Sequence, residues 1–411
     1  MAEGRAATLI AGFRAFRRAR KGSVAVAFAL GMPVVAAGAA FSVETSYHYY
    51  KQTSLQAAAD AAAVAGGLER LRGGRGSAIR TAARQTATEN GWDSAAGTIT
   101  VNSPPTAGAY TSQPAVEVIL AQTEPRFFSA LLTRTPVRLR ARAVGLYRIA
   151  SNACVLALSR DAGPAVNIKG SARLELQGCD VVANSVADDA LNVWGAARLT
   201  ADCAVSAGGV RNKDGMRLAE CGAPVTQAPP VEDPLKDLPE PSPTGPCQND
   251  KADVLVPGRY CSGLDLKGDV RLEPGVYHLA GDFRANANAS VSGEGVTIYM
   301  SDGAEVRING GAQLTLSAPS SGTYAGVLFF GDRDSTGGDN VFNGNARSRF
   351  TGHLYFPSQS VTYNGNFSGE NGCTHVIADT VTWSGNATLE VDCTDTGMVE
   401  IPGRRVVRLV E

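Results

Sequence analysis

The sequence predicts an N-terminal transmembrane and protruding α-helix with a small α+β unit, followed by an all-β region built as a parallel β-helix, a solenoid stapled by disulfides. Three observations carry this: a charge-free run near the N-terminus, alternating segments after it, and a Gly-centred repeat that fills the remainder. The chain has 411 residues and 44% hydrophobic content, enough to bury cores for two or three domains. Its formal net charge of -1 hides an asymmetry. Residues 1–150 hold 18 Lys and Arg against 8 Asp and Glu, whereas 151–411 hold 20 against 31.

Residues 1–21 form a basic tail with Arg14, Arg17, Arg18, Arg20 and Lys21 at its end. Residues 22–43 then carry no charge over 22 positions, about 33 Å at the helical rise, which matches a bilayer's hydrocarbon core. The basic flank, set against Glu44 and Lys51 on the far side, implies a single pass with the N-terminus cytoplasmic and the bulk exported. A cleaved secretory signal is the rival reading, for which the run is long. Inner-membrane lipid is therefore an expected partner, and nucleic acid is not.

The helical pattern continues past the apolar run, because "VETSYHYYKQTSLQAAADAAAVAGGLERL" contains no Pro and no Gly before Gly66. Tyr47, Tyr49 and Tyr50 fall where amphipathic rings favour the headgroup layer. After a glycine break, "SAIRTAARQTATENGW" predicts a second helix ending at Asn90-Gly91. "GTITVNS", "AVEVILAQ" and "VRLRARAVGLYR" alternate apolar and polar residues with the period of strands. Residues 44–150 are thus expected to be a protruding helix and a small α+β unit.

"RKGSVAVAFAL", "TSLQAAADAAAVAGG" and a helix ending in "ENG", at this spacing, resemble the N-terminal region of TadE/TadG-like Flp pilus-assembly proteins. The resemblance implies a bacterial inner-membrane protein with its bulk in the periplasm and other Tad/Flp pilus components as partners. It also implies that the helix leaving the membrane is an assembly element. Leu55, Gln56, Ala59, Asp60 and Ala63 are its candidates: small alanines allow close helix packing, and Asp60 would set register within an apolar seam. The competing expectation is that Leu55, Ala59, Ala62 and Ala63 pack on this chain's own sheet while Asp60 faces water. Two departures from the family stand out. Ala27 occupies the place where a processed pilin carries Glu, and no Asp-x-Ser-x-Ser motif of a von Willebrand A-type domain occurs.

A β-helix-like region, 151–411, is expected instead. "NIKGSARLEL", "NVWGAARLTA", "DLKGDVRLEP", "RINGGAQLTL", "VFNGNARSRF", "TYNGNFSG" and "TWSGNATLEV" share the pattern apolar, polar, Gly, x, small. Their glycines are Gly170, Gly195, Gly268, Gly310, Gly344, Gly365 and Gly385, each placed at a solenoid corner. Asn343, Asn345, Asn364, Asn366 and Asn386 recur beside that corner, where stacked amides would form a ladder. Between repeats, residues 221–247 hold eight prolines and read as a linker or an extended strap. This Pro-rich stretch, leading into "LVPGRYC" and "LEPGVYHL", extends the resemblance to TadG-related envelope proteins over most of the chain.

All eight cysteines lie beyond residue 150, as expected of an exported disulfide framework. Neighbouring pairs are Cys154 with Cys179, Cys203 with Cys221, Cys247 with Cys261, and Cys373 with Cys393. No CxxC occurs and the four histidines do not cluster with the cysteines, so no metal and no cofactor are expected.

The best catalytic candidate is "GDRDSTGGDN", where Asp332, Asp334 and Asp339 surround Arg333 in a lengthened repeat step. Paired carboxylates would serve as acid and base for a polysaccharide-active enzyme. The plainer reading is a solvated loop with Asx turns, or a weak calcium site. The sequence therefore points to a non-enzymatic, membrane-anchored envelope component of pilus assembly or adhesion. The alternatives are a membrane-tethered polysaccharide-active β-helix enzyme and a module that binds cell-wall or surface glycan.

Overall fold

The computed structural model describes residues 23–411 apart from 212, 243–244, 345–347, 366, 385–386 and 391–395. The basic tail, Asn345, Asn366, Gly385, Asn386 and Cys393 lie outside the described residues. The chain divides into two compact units. One holds the residues up to Tyr147 together with Val407–Glu411, and the other is Arg148–Val406.

The first unit is organised by α1, Ser23–Leu71, a single helix of 49 residues, about 74 Å long at the helical rise. Its N-terminal part carries the apolar run, with a mean hydropathy of 2.0 over its most apolar window and none of that window buried. Pro33 sits inside this part without ending the helix, as prolines in membrane helices do. The expected break at Gly66 does not occur. A Cβ on Gly66 would stand 2.9 Å from Val116 Cγ1, and one on Gly67 would stand 2.8 Å from Val407 Cγ1. The two glycines let the helix lie close on the sheet, and that packing outweighs their helix cost of about 1 kcal/mol each.

α2, Ser77–Glu89, turns Ile79, Ala83 and Ala87 inward at four-residue spacing and stops at Asn90, before Gly91 with its positive φ of 92°. Three antiparallel strands follow: β1 Gly97–Asn102, β2 Ala115–Glu124 and β3 Val137–Ile149, with Ile99 opposite Leu120 and Val118 opposite Ala143. The fourth strand of this sheet is the chain's last, Arg405–Leu409, placed beside β3. The expected boundary at 150 therefore misses a piece, since the C-terminal residues complete the first unit's sheet.

The second unit is a coiled repeat of short parallel strands forming three faces, begun by Asn152–Ala157, Val166–Ile168 and Arg173–Leu176. On the third-face strands inward residues alternate with outward ones, as in the buried Leu174 and Leu176 beside the exposed Arg173 and Glu175, whereas first-face strands such as Val296–Met300 and Val327–Gly331 are buried throughout. Among the described residues the second face has nine strands, and it gives the stacking order directly. From one end it runs Val210–Arg211, Leu191–Val193, Val166–Ile168, Val381–Trp383, Ser360–Gly365, Asp339–Gly344, Val306–Ile308, Phe283–Ala285 and Leu264–Leu266. The coils are thus not stacked in chain order. Three coils grow in one direction, the chain crosses to the far end, and six more grow back until Val381 pairs with Val166 of the first coil.

The crossing segment is the Pro-rich stretch, and it is an extended strap lying along the outer side of the first face. Val225 exchanges backbone hydrogen bonds with Ala204 and Ser206 at one end of the stack. Asn184 holds Val231 by two hydrogen bonds of 2.7 and 2.8 Å. Val231 and Leu235 are buried against Leu156, Tyr299, Phe330 and Tyr355, a cluster separate from the solenoid interior. Disulfides Cys203–Cys221 and Cys247–Cys261 fix the strap's two ends, and Cys154–Cys179 joins the first coil to the second. These are three of the four expected pairs. Cys373 is also disulfide-bonded.

Inside, like residues stack on like: Phe342, Tyr363 and Trp383 occupy successive coils in register, with ring separations of 5.5 and 5.6 Å. The corner glycines Gly170, Gly195 and Gly268 have positive φ. At Gly195 a Cβ would approach the Gly170 carbonyl oxygen to 3.0 Å, so corner and stacking distance both demand glycine there. Gly310 shares the pattern but not the positive φ. Of the expected amide ladder, Asn343 pairs in register with Asn364, whose Oδ1 accepts from the Ser384 hydroxyl.

Candidate functional site: the helix leaving the apolar run

Leu55, Ala59 and Ala63 are buried in the first unit's own core, at 4%, 0% and 0% exposure, with Ala58 and Ala62 beside them. They pack against Ile79, Ala83 and Ala87 of α2 and against Val116, Val118, Leu120, Ala141 and Ala143 of the sheet. Alanine is required because helix and sheet approach to backbone distance: a Cβ on Gly145 would meet the Ala63 carbonyl oxygen at 2.7 Å. Of the two readings of this alanine run, the structure favours packing on the chain's own sheet.

Gln56 and Asp60 stand at the edge of that core, half-buried. The Gln56 side-chain amide donates to Asp60 Oδ1 at 2.8 Å and to the Arg142 carbonyl at 2.9 Å. Asp60 is thus tied to Gln56 one helical turn away, and Gln56 in turn to β3. The outward side of the helix at this level presents Tyr49, Tyr50, Thr53 and Ala57, all exposed.

A polar cluster clamps the helix just beyond the apolar run. Glu44, the first charged residue after that run, is 4% exposed. It accepts hydrogen bonds from the Ser129 hydroxyl at 2.5 Å, the Ser129 amide at 2.7 Å and the Phe127 amide at 3.3 Å. These donors, led by the Ser129 hydroxyl and joined by His48, overcome the opposing effect of burial and hold the Glu44 carboxyl down at about 2. Tyr47 donates to Glu124 at 3.0 Å, and Lys51 lies 3.6 Å from the same buried carboxylate. Ser129 and its neighbours belong to the loop between β2 and β3, so the sheet is fastened to the helix at its point of exit. The sequence reading missed Glu44 and this loop, whose signal was an unalternating "RFFSALL" between two prolines.

A second buried carboxylate, Glu117, lies toward the other end of β2 from Glu124. Burial pushes Glu117 upward, but donation from Asn102, Thr106 and Arg142 carries it down to about 2. Arg142 reaches Glu117 at 2.7 Å and also pairs with the side chain of Glu411, the final residue shown.

The acidic loop of the solenoid is a scaffold for its arginine. Asp332 accepts from the Asp334 amide at 2.9 Å and the Ser335 hydroxyl at 2.8 Å, an Asx turn, while Asp334 is exposed. Asp339 begins the next second-face strand, and its amide donates to Glu305. The loop does not gather the three carboxylates around one point, and among the described residues no group of His, Cys, Asp and Glu could hold a metal ion. Arg333 instead donates to the Leu235 and Leu238 carbonyls of the strap at 2.8 and 2.9 Å. Its guanidinium lies 4.9 Å from the Phe330 ring and 5.4 Å from the Tyr355 ring.

No curated protein and no solved structure matches the chain. A family model described as "Putative Flp pilus-assembly TadE/G-like" matches residues 22–84, from the start of the apolar run into α2. The segment that leaves the apolar run and builds the helical side of the first unit is therefore similar to the TadE/G-like Flp pilus-assembly family.

Proposed function

We propose that this protein is a non-enzymatic, membrane-anchored envelope component of the Tad/Flp pilus apparatus. The observation that carries the reading is the family match at residues 22–84, which coincides with the helix that holds both the apolar run and the core of the first unit. In this reading the N-terminus is cytoplasmic, the two units are periplasmic, and the exposed side of α1 at Tyr49, Thr53 and Ala57 meets other pilus components. The solenoid extends the anchored unit as a disulfide-stapled surface. Glycan binding to that surface is a second reading, favoured by an open cleft lined by Arg284, Asn286, Arg307, Asn309 and Asn343.

A photo-crosslinking residue at Thr53 or Ala57 in the native bacterium tests the first reading. Crosslinks to pilus components and loss of pilus-dependent adhesion on deletion are expected, and normal pili in the deletion strain would overturn it. Incubating the protein with peptidoglycan, alginate or pectin tests its non-enzymatic character. Product release would move the assignment to a polysaccharide-active enzyme, and retention without release would favour glycan binding.

A further inference from the structure

We propose that the loop between β2 and β3 is a second membrane contact, with Phe127, Phe128, Leu131 and Leu132 seated in the interfacial layer of the leaflet that faces the folded unit. The inference rests on reading the charge-free run as a membrane span. Phe127 and Phe128 are 49% and 48% exposed, and Leu131 and Leu132 are 91% and 79% exposed. Four large apolar side chains within six residues are presented to the surroundings, while the polar Ser129 among them is buried. A loop folded for water has the opposite arrangement.

The occupant is set by position. Glu44 is the residue at which the charge-free run ends, and its carboxylate is hydrogen-bonded to Ser129 and Phe127 of the loop. The Phe127 ring lies 5.1 Å from the Tyr47 ring, edge to face. The loop is therefore held within about one helical turn of the level at which the span leaves the hydrocarbon. Its neighbours on the helix there, Phe41 and Val43, are themselves 41% and 62% exposed. The loop's apolar tips and the end of the span thus offer a continuous surface to the same medium.

Charge complements this. From Pro125 to Ala150 the chain has six arginines and no Asp or Glu. Arg126 braces the loop from within, donating to the Thr135 carbonyl and the Ser129 hydroxyl. Arg134, Arg138 and Arg140 are exposed and suit anionic lipid headgroups. Apolar tips flanked by arginine are the composition of an interfacial anchor.

The test uses the full chain reconstituted in phosphatidylcholine vesicles with and without phosphatidylglycerol. Leu131→Trp and Phe128→Trp report on the loop, Val35→Trp reports on the span, and the unsubstituted protein gives the background from Trp92, Trp194 and Trp383. Lipid brominated near the headgroup end of its acyl chains is expected to quench the loop tryptophans by at least half as much as it quenches Val35→Trp. Aqueous iodide should spare them, and phosphatidylglycerol should strengthen the lipid quenching. Loop tryptophans open to iodide and untouched by brominated lipid, while Val35→Trp is quenched, would overturn the inference and leave the span intact. Loop tryptophans shielded from both quenchers would mean a protein cover and overturn it equally. If Val35→Trp also escapes brominated lipid, the span reading falls first.

Discussion

The first unit and the solenoid solve the same burial problem with opposite side chains. The first unit's core is largely alanine: Ala58, Ala59, Ala62, Ala63, Ala83, Ala87, Ala141 and Ala143 let a helix pair and a sheet meet almost backbone to backbone. The solenoid's interior is wide and filled by Phe283, Phe329, Phe342, Phe350, Tyr363 and Trp383. Its cohesion comes from stacked repetition and covalent staples, whereas the first unit relies on close approach and on the buried carboxylates Glu44 and Glu117. Small-residue packing leaves no room for a larger side chain, and stapled stacking depends on the staples. Each region should therefore fail under a perturbation that the other tolerates.

Reduction gives the largest expected separation. The three described disulfides span 25, 18 and 14 residues, all within the solenoid, and loops of that size are each worth about 3 kcal/mol. Hydrogen exchange on the full chain should show reductant releasing protection in the solenoid while α1, α2 and β1–β3 keep theirs. Equal loss in both units would mean that the first unit depends on the solenoid's integrity.

The reverse perturbation is Ala59→Leu. Overpacking a filled core costs about 1–3 kcal/mol, so exchange in the first unit should rise while the solenoid is unchanged. Were Ala59 part of an exposed assembly seam, the substitution would leave exchange untouched and abolish crosslinking instead. That outcome would overturn its place in the core.

Acid sharpens the contrast by sign and window. Burial pushes His353, His375 and His278 below the ordinary histidine value of 6.5. Their stability contribution is therefore present above that value and lost as pH falls below it. Glu44 and Glu117, held at about 2, contribute above the ordinary carboxylate value of 4.5 and lose that contribution only as pH falls from there toward 2. Asp180, Asp202 and Asp379, raised by burial, act in the opposite sense, nearer the carboxylate range. Between about pH 6.5 and about pH 5 the solenoid should soften while the first unit holds, and His375→Asn should weaken that response.

The smallest expected effect is at the acidic loop. Asp334→Asn removes an exposed charge from an Asx turn and should change stability by under about 0.5 kcal/mol, measured as an unchanged melting curve for the full chain. A large loss would give the loop a role beyond positioning Arg333.

Much of this was legible because it is local. The charge-free run, the strand alternation and the Gly-centred repeat each depend on residues close in sequence, and cysteines one coil apart pair with their neighbours. What was not legible depends on partners far away. "RVVRL" alternates too little to declare itself a strand, and only β3 gives it a place. The coils are alike enough that nothing in a single repeat says which neighbour it will stack on. The route of the strap, and hence the inverted order of the stack, was therefore hidden. The alanine run was ambiguous for a different reason: the same small residues serve a helix seam within one chain or between two. The acidic loop drew notice for its three carboxylates, but the residue that reaches across to the strap is the arginine between them.

The placement of the last strand also orders events during synthesis. Val144 and Glu411 exchange backbone contact across 267 positions of sequence, with the Val144 amide donating to the Glu411 carbonyl at 2.7 Å. The sheet beside α1 thus receives its fourth strand only after the whole solenoid has been synthesised. Until then β3 is an open sheet edge, available to any strand that can pair with it. A chain cut short anywhere in the solenoid would keep that open edge, so the sheet closes only in a chain that has passed through every coil.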